Sequence, residues 1–123
     1  MKSTKEIALE FFDTFATNQG WEAMLTADLA FHSPMDETNS KDAFIRLDKQ
    51  FRQLVASASV RWIISEGDEA SALVDYHMVL PSGDALDIEF AEIISVKEQK
   101  IASIRVLFDT AKFSGFLSRM SQN

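Results

Sequence analysis

The chain has 123 residues, 46% of them hydrophobic and ten of them Phe, so one core-bearing domain over residues 1–123 is expected and disorder is excluded. Its 12 Lys and Arg against 19 Asp and Glu give a net charge of −7 with no basic run, which excludes a nucleic-acid partner and an anionic membrane surface. The lack of cysteine removes disulfides, thiol nucleophiles and zinc–thiolate sites, and two histidines are too few for a three-imidazole metal centre.

Met1 to Glu6 leads into an amphipathic pattern, not an unbroken apolar stretch, which reads as neither a signal peptide nor a membrane span and leaves a cytoplasmic protein as the expectation. From Thr4 to Thr17, Ile7, Phe11 and Phe15 recur every four residues with Ala8 and Phe12 beside them, the stripe of a helix lying on a core. Asn18-Gln19-Gly20 ends it. Trp21, Met24 and Leu25 suggest a short second helix, Leu29 to Ser33 a brief strand stopped by Pro34, and Met35 to Asn39 a polar loop. Asn39 or Ser40 can cap a third helix whose buried face runs through Phe44, Leu47, Phe51, Leu54 and Val55. After residue 57 the period falls to two. Turn signals at Gly67-Asp68, Pro81 to Asp84 and Lys97 to Lys100 divide the remainder into strands near 58–66, 69–80, 85–96 and 101–109, an antiparallel meander, before a closing helix with Phe113, Phe116, Leu117 and Met120. Helices grouped before a run of strands predict an α+β fold with the helices on one face of the sheet.

Alternation sorts the strand residues by face. Even positions, among them Val60, Trp62, Ile64, Val74, Tyr76, Met78, Ile88, Phe90, Glu92 and Ile104, are mostly apolar and should face the helices. Odd positions, among them Arg61, Asp75, His77, Asp87, Glu89 and Arg105, should face outward, with His77 opposite Glu89.

This order of elements resembles the nuclear-transport-factor-2-like cone fold. Leu25 to Pro34, with Phe31-His32-Ser33-Pro34 at its end, resembles the stretch that SnoaL-like proteins and ketosteroid isomerases place before their pocket, and Lys100 to Phe108 resembles their last strand. The resemblance implies a cone-shaped apolar pocket between N-terminal helices and a curved, mainly antiparallel sheet with a short C-terminal helix, and a homodimer formed through the sheet. It does not fix a reaction, because one fold hosts many activities. The isomerase base falls on Ser33 and the isomerase tyrosine near Phe11, so neither group is carried over; the isomerase oxyanion-hole acid falls at about Glu92. Of an epoxide-hydrolase triad, matched by Leu73, Asp75 and Val106, one member survives.

Glu92 also stands out unaided, as a carboxylate interrupting the apolar register of Phe90 and Ile94. Burial there would favour its neutral form, suited to protonating a substrate or donating to a developing oxyanion. Tyr76 shares that face and can offer a phenol to a ligand. His32 is a candidate proton shuttle by its usual pKa, although alternation from Ser33 turns it away from the pocket. Asp109 reads as a helix cap. Phe12, Phe31, Ser33, Phe51, Trp62, Met78, Phe90 and Val106 complete the candidate lining. Met35-Asp36-Glu37 supplies two oxygens without metal-loop spacing, so no metal and no cofactor are expected. The sequence reading is a protein for a small apolar molecule, either a cofactor-free isomerase, cyclase or dehydratase with catalytic Glu92, Tyr76 and His32, or a non-catalytic ligand-binding or dimerisation domain.

Overall fold

The computed structural model describes residues 1–122. Helix α1, Thr4–Asp13, opens on a capping box: Ser3 Oγ accepts the Glu6 N–H at 3.1 Å, and Glu6 Oε1 accepts the Ser3 N–H at 3.0 Å. It stops short of the predicted Thr17. Thr14–Ala16 tightens into a 3-10 turn, because Thr14 Oγ1 donates back to the Phe11 carbonyl and Asn18 turns left-handed at φ 57°. The predicted second helix is one 3-10 turn, Glu22–Met24, cut off because strand β1, Leu25–His32, starts four residues before the expected Leu29. The Met35 to Asn39 segment is not wholly loop either, since Glu37–Thr38 (β2) folds back to pair with β1.

Ser40 caps α2, Lys41–Leu54, by accepting the Ala43 N–H at 3.1 Å. The chain passes straight from α2 into β3, Val55–Glu66, then β4, Glu69–Val79, β5, Ala85–Lys97, and β6, Lys100–Leu107. Asp109 Oδ1 accepts the Lys112 N–H and starts α3, Thr110–Ser118, so the last strand ends two residues earlier than predicted. The sheet order is β2-β1-β6-β5-β4-β3. Strands β3 to β6 form the predicted antiparallel meander, and β1 adds alongside β6 in parallel.

The predicted parity holds through β4 and β5, where Val74, Tyr76, Met78, Ile88, Phe90, Glu92 and Ile94 are buried. It fails in β3. There Val60 pairs with Val74 but Trp62 with Leu73, a bulge at Arg61 that inserts one residue and exchanges the two faces beyond it. Ile63 then faces inward opposite Ala72, while Trp62 is 44% exposed and Ile64 65%. The expectation that Trp62 lines the pocket is therefore overturned. The outer register also differs from the sequence reading: His77 lies opposite Asp87, Nδ1 to Oδ1 2.6 Å, and Asp75 lies opposite Glu89. Both acids bind Arg61, at 2.7 and 2.6 Å.

Helix α1 packs on β3 to β6, α2 reaches β1 and β3, and α3 rests on β5. Trp21, Leu25, Leu29 and Phe44 are fully buried. No helix among the described residues is long and apolar enough to cross a membrane.

Candidate active site

A sheet that curves away from its helices leaves space wherever the side chains between them do not meet. Here that space is a cavity of about 460 Å³. Its aromatic walls come from every layer: Phe11 and Phe15 beside α1, Phe44 and Phe51 on α2, Phe90 on β5, and Phe108 and Phe113 at the C-terminal end. Phe31, Ser33, Phe51, Phe90 and Val106 lie where the sequence reading puts them.

Tyr76 is 2% exposed and its ring is enclosed by Phe15, Phe51 and Phe90, with centroids 5.4, 5.2 and 5.0 Å away. Those three rings fix the phenol's direction along the inner face of the sheet. Its hydroxyl donates a hydrogen bond to Glu92 Oε2. Glu92 is 5% exposed, and its Oε1 has no hydrogen-bond partner among the described residues. Both residues line the cavity. Burial pushes the Glu92 carboxyl up to about 8; the Tyr76 hydrogen bond opposes that rise, the charge of Asp48 adds to it and Arg52 lowers it. Burial, then the Glu92 charge, drives the Tyr76 phenol well above its ordinary range. At neutral pH the site therefore presents a protonated carboxyl group beside a protonated phenol.

Besides Trp62, three of the expected site residues lie elsewhere. His32 points away from the cavity, with its side chain 48% exposed and Nδ1 3.6 Å from Glu37, because alternation along β1 turns Phe31 inward and its neighbour out. Phe12 is 3% exposed but packs in the core one helical step from the lining residues Phe11 and Phe15. Met78 is fully buried in β4, two residues beyond Tyr76 and past the end of the cavity. Ser33 lines the cavity with its hydroxyl engaged: Oγ accepts the Asp36 and Met35 N–H groups at 2.9 and 3.2 Å and donates to the Asp36 carbonyl. That arrangement is a turn closure, which leaves the hydroxyl little capacity for a ligand.

The sequence reading missed Asp48 and Arg52. Asp48 lines the cavity, and its Oδ2 accepts Arg52 Nε–H at 2.8 Å. Arg52 is 4% exposed, donates to Asn18 and Thr14, and stacks on Phe15 and Trp21 at 4.0 and 4.2 Å from the ring centroids. Burial raises the Asp48 carboxyl above its ordinary value, while the charge and hydrogen bond of Arg52 hold it down. The signal was present in the helical period. Phe44, Asp48, Phe51 and Arg52 fall on one stripe of α2, so two charged residues interrupt an apolar helix face as Glu92 interrupts an apolar strand.

Among the lining residues there is no Lys or Arg. Among the described residues no group of three or more His, Asp or Glu is placed to hold a metal ion.

A family model described as SnoaL-like domain matches residues 8–104. An NTF2-like protein of unknown function from Burkholderia pseudomallei superposes with a TM-score of 0.82 at 16% identity, over 94% of this chain and 98% of that one. A protein from Jannaschia sp. CCS1, described as a candidate SnoaL-like polyketide cyclase, gives 0.80 at 15% identity, over 94% and 91%. TerC, co-crystallised with polyporic acid, gives 0.80 at 13% identity, over 94% and 98%. Likeness at these identities establishes the shared fold. No curated protein matches the chain.

Proposed function

The chain belongs to the SnoaL-like domain family, and on that premise we propose that its cavity binds a small, largely apolar carbonyl compound and moves a proton on it without a cofactor. The observation that carries this reading is the pairing of Glu92 and Tyr76 at the wall of an aromatic cavity. A volume of about 460 Å³ lies within the range of roughly 300–1,000 Å³ usual for small-molecule sites. A protonated Glu92 can donate to a carbonyl oxygen as negative charge develops there, and Tyr76 holds the carboxyl in place. Isomerisation, cyclisation and dehydration share that step. The neighbours that bear on the choice are the Jannaschia protein described as a cyclase and the TerC crystal with polyporic acid.

A non-catalytic ligand-binding domain is the second reading. It is favoured by the closed turn of Ser33 and by Phe11, which leave the two isomerase groups of the sequence comparison without equivalents. One experiment separates the two. Neutral polycyclic and polyketide-like ketones, with polyporic acid as a further probe, are screened for binding by calorimetry and for turnover. For a compound that is turned over, Glu92→Gln is expected to lower kcat by about 100-fold or more while changing affinity little. Unchanged turnover in that variant ends the role given to Glu92, and binding of these compounds without turnover by the wild type leaves the binding domain.

A second copy of the chain is proposed against the outer face of the sheet, where Trp62, Ile64 and Leu107 are exposed beside the Arg61, Asp75 and Glu89 cluster. Sedimentation equilibrium should return about twice 13.8 kDa. Replacing Trp62 and Ile64 with Lys should return the single mass. A monomer throughout the micromolar to millimolar range would end the proposal.

A further inference from the structure

An acid alone does not move a proton from carbon to oxygen; a second group must take the proton that carbon loses. The cavity contains a carboxylate with the required properties. Asp48 enters from α2, whereas Glu92 enters from β5 in the sheet, so the two acids belong to opposite layers of one cavity. Asp48 Oδ2 is held by Arg52 Nε, and Oδ1 accepts no hydrogen bond among the described residues. The Arg52 guanidinium lies outside the lining, clamped by Asp48, Asn18 and Thr14 and by the faces of Phe15 and Trp21. It therefore orients Asp48, and opposes the upward push of burial on its carboxyl, without meeting the ligand.

We propose, resting on the reading above, that Asp48 is the catalytic base working opposite the Glu92 acid, and that the site takes an uncharged carbon acid, a molecule with a C–H bond next to a carbonyl group whose oxygen accepts a hydrogen bond. Asp48 Oδ1 takes the proton from carbon, the C–H electron pair becomes the new carbon–carbon double bond, and the carbonyl oxygen takes the proton of Glu92. Reversal at a second carbon isomerises the substrate and restores both carboxyl groups. Loss of a β-hydroxyl as water, protonated by one of the two acids, dehydrates it. An anionic substrate is disfavoured because three carboxyl groups, Asp36, Asp48 and Glu92, line the cavity and no lysine or arginine does.

The two acids sit in different surroundings, as a proton relay needs. Burial raises both, but Asp48 has the adjacent Arg52 and Glu92 has only a neutral phenol in direct contact. The ionisable groups facing this space are Asp36 in the loop after β1, Asp48 on α2 with Arg52 behind it, Tyr76 on β4 and Glu92 on β5; α1, β6 and α3 contribute aromatic and aliphatic side chains.

The probe is 5-nitrobenzisoxazole, an uncharged aromatic carbon acid whose only demand is a base. Removal of its C3 proton forms the nitrile, breaks the N–O bond and releases a coloured phenolate, so no natural substrate is needed. The wild-type protein should accelerate this elimination, with kcat/KM rising with pH along the ionisation of Asp48 followed by ¹³C-carboxyl NMR. Asp48→Asn should lose about 100-fold or more and its pH dependence, and Asp48→Glu should restore part of the rate. Glu92→Gln should lower the rate, because the acid no longer donates to the leaving phenolate oxygen, yet keep its rise with pH, because Asp48 still takes the proton, which separates this inference from the Glu92 reading. Turnover that survives Asp48→Asn overturns the inference, and so does a wild-type protein that leaves the probe unchanged. Should Asp48→Asn fail to fold, the wild-type comparison decides: rate and NMR midpoints that coincide support the base, and midpoints that differ overturn it.

Discussion

Glu92→Gln should flatten the pH dependence of stability, leaving the protein unchanged near pH 4 and more stable than wild type by about 3 kcal/mol at pH 7 and about 5 kcal/mol above pH 8. The carboxyl ionises near 4.5 in the unfolded chain and near 8 when buried. Between those values the native state holds a proton that the unfolded state lacks, so wild-type stability falls as pH rises through that window. Below it both states are protonated; above it the cost of ionising a buried acid is borne in full. Glutamine mimics the neutral acid in shape and can still accept the Tyr76 hydroxyl, so the variant avoids the penalty. Urea unfolding of both proteins at pH 4, 7 and 9 measures the difference, in which all other titrating groups cancel. Two parallel stability curves would mean that Glu92 stays ionised in the folded protein. A gain in stability on replacing a buried acid is expected where a site is kept for function at some cost to stability.

Arg52→Met should cost about 3–5 kcal/mol and lower the midpoint of thermal unfolding by roughly 10–20 °C. Methionine keeps the apolar stem between Phe15 and Trp21 but withdraws the cation from Asp48, whose side chain is 13% exposed. It also leaves Asn18 and Thr14 without their guanidinium donors. The loss comes mainly from stranding a buried charge, since an intact buried pair adds little net stability over an apolar one. Asp48→Leu combined with Arg52→Met should therefore recover most of it. Calorimetric scans of the single and double variants close the cycle, and a single variant within about 1 kcal/mol of wild type would show that the pair is solvated.

The fold was legible where burial writes a regular period. The Ile7, Phe11, Phe15 stripe, the Phe44 to Leu54 helix and the even-numbered faces of β4 and β5 each follow from one residue type repeating at one spacing. Glu92 was legible as a break in such a period. The misreadings have local causes: one extra residue at Arg61 reverses the end of β3, and a two-residue pairing turns a polar loop into β2. Asp48 and Arg52 were overlooked for a different reason. An i, i+4 pair of opposite charges on a helix is ordinarily a solvated surface feature, and only the third layer, Trp21 with α1, buries this one. The lining contributed by Phe108, Phe113 and Leu117 depends on where α3 returns to the sheet, a long-range contact that no short window contains.

The bulge at Arg61 has an effect at the sheet's rim as well as on its faces. Strand β3 is the last of the six and has twelve residues, Val55–Glu66, with one side unpaired. A flat strand of that length is a template onto which another chain can add by backbone hydrogen bonding. Two interruptions, one between Val55 and Ser57 and one at Arg61, break its row of free amides and carbonyls into shorter runs that twist apart. The irregularity that exposes Trp62 thus also protects the protein from edge-to-edge aggregation.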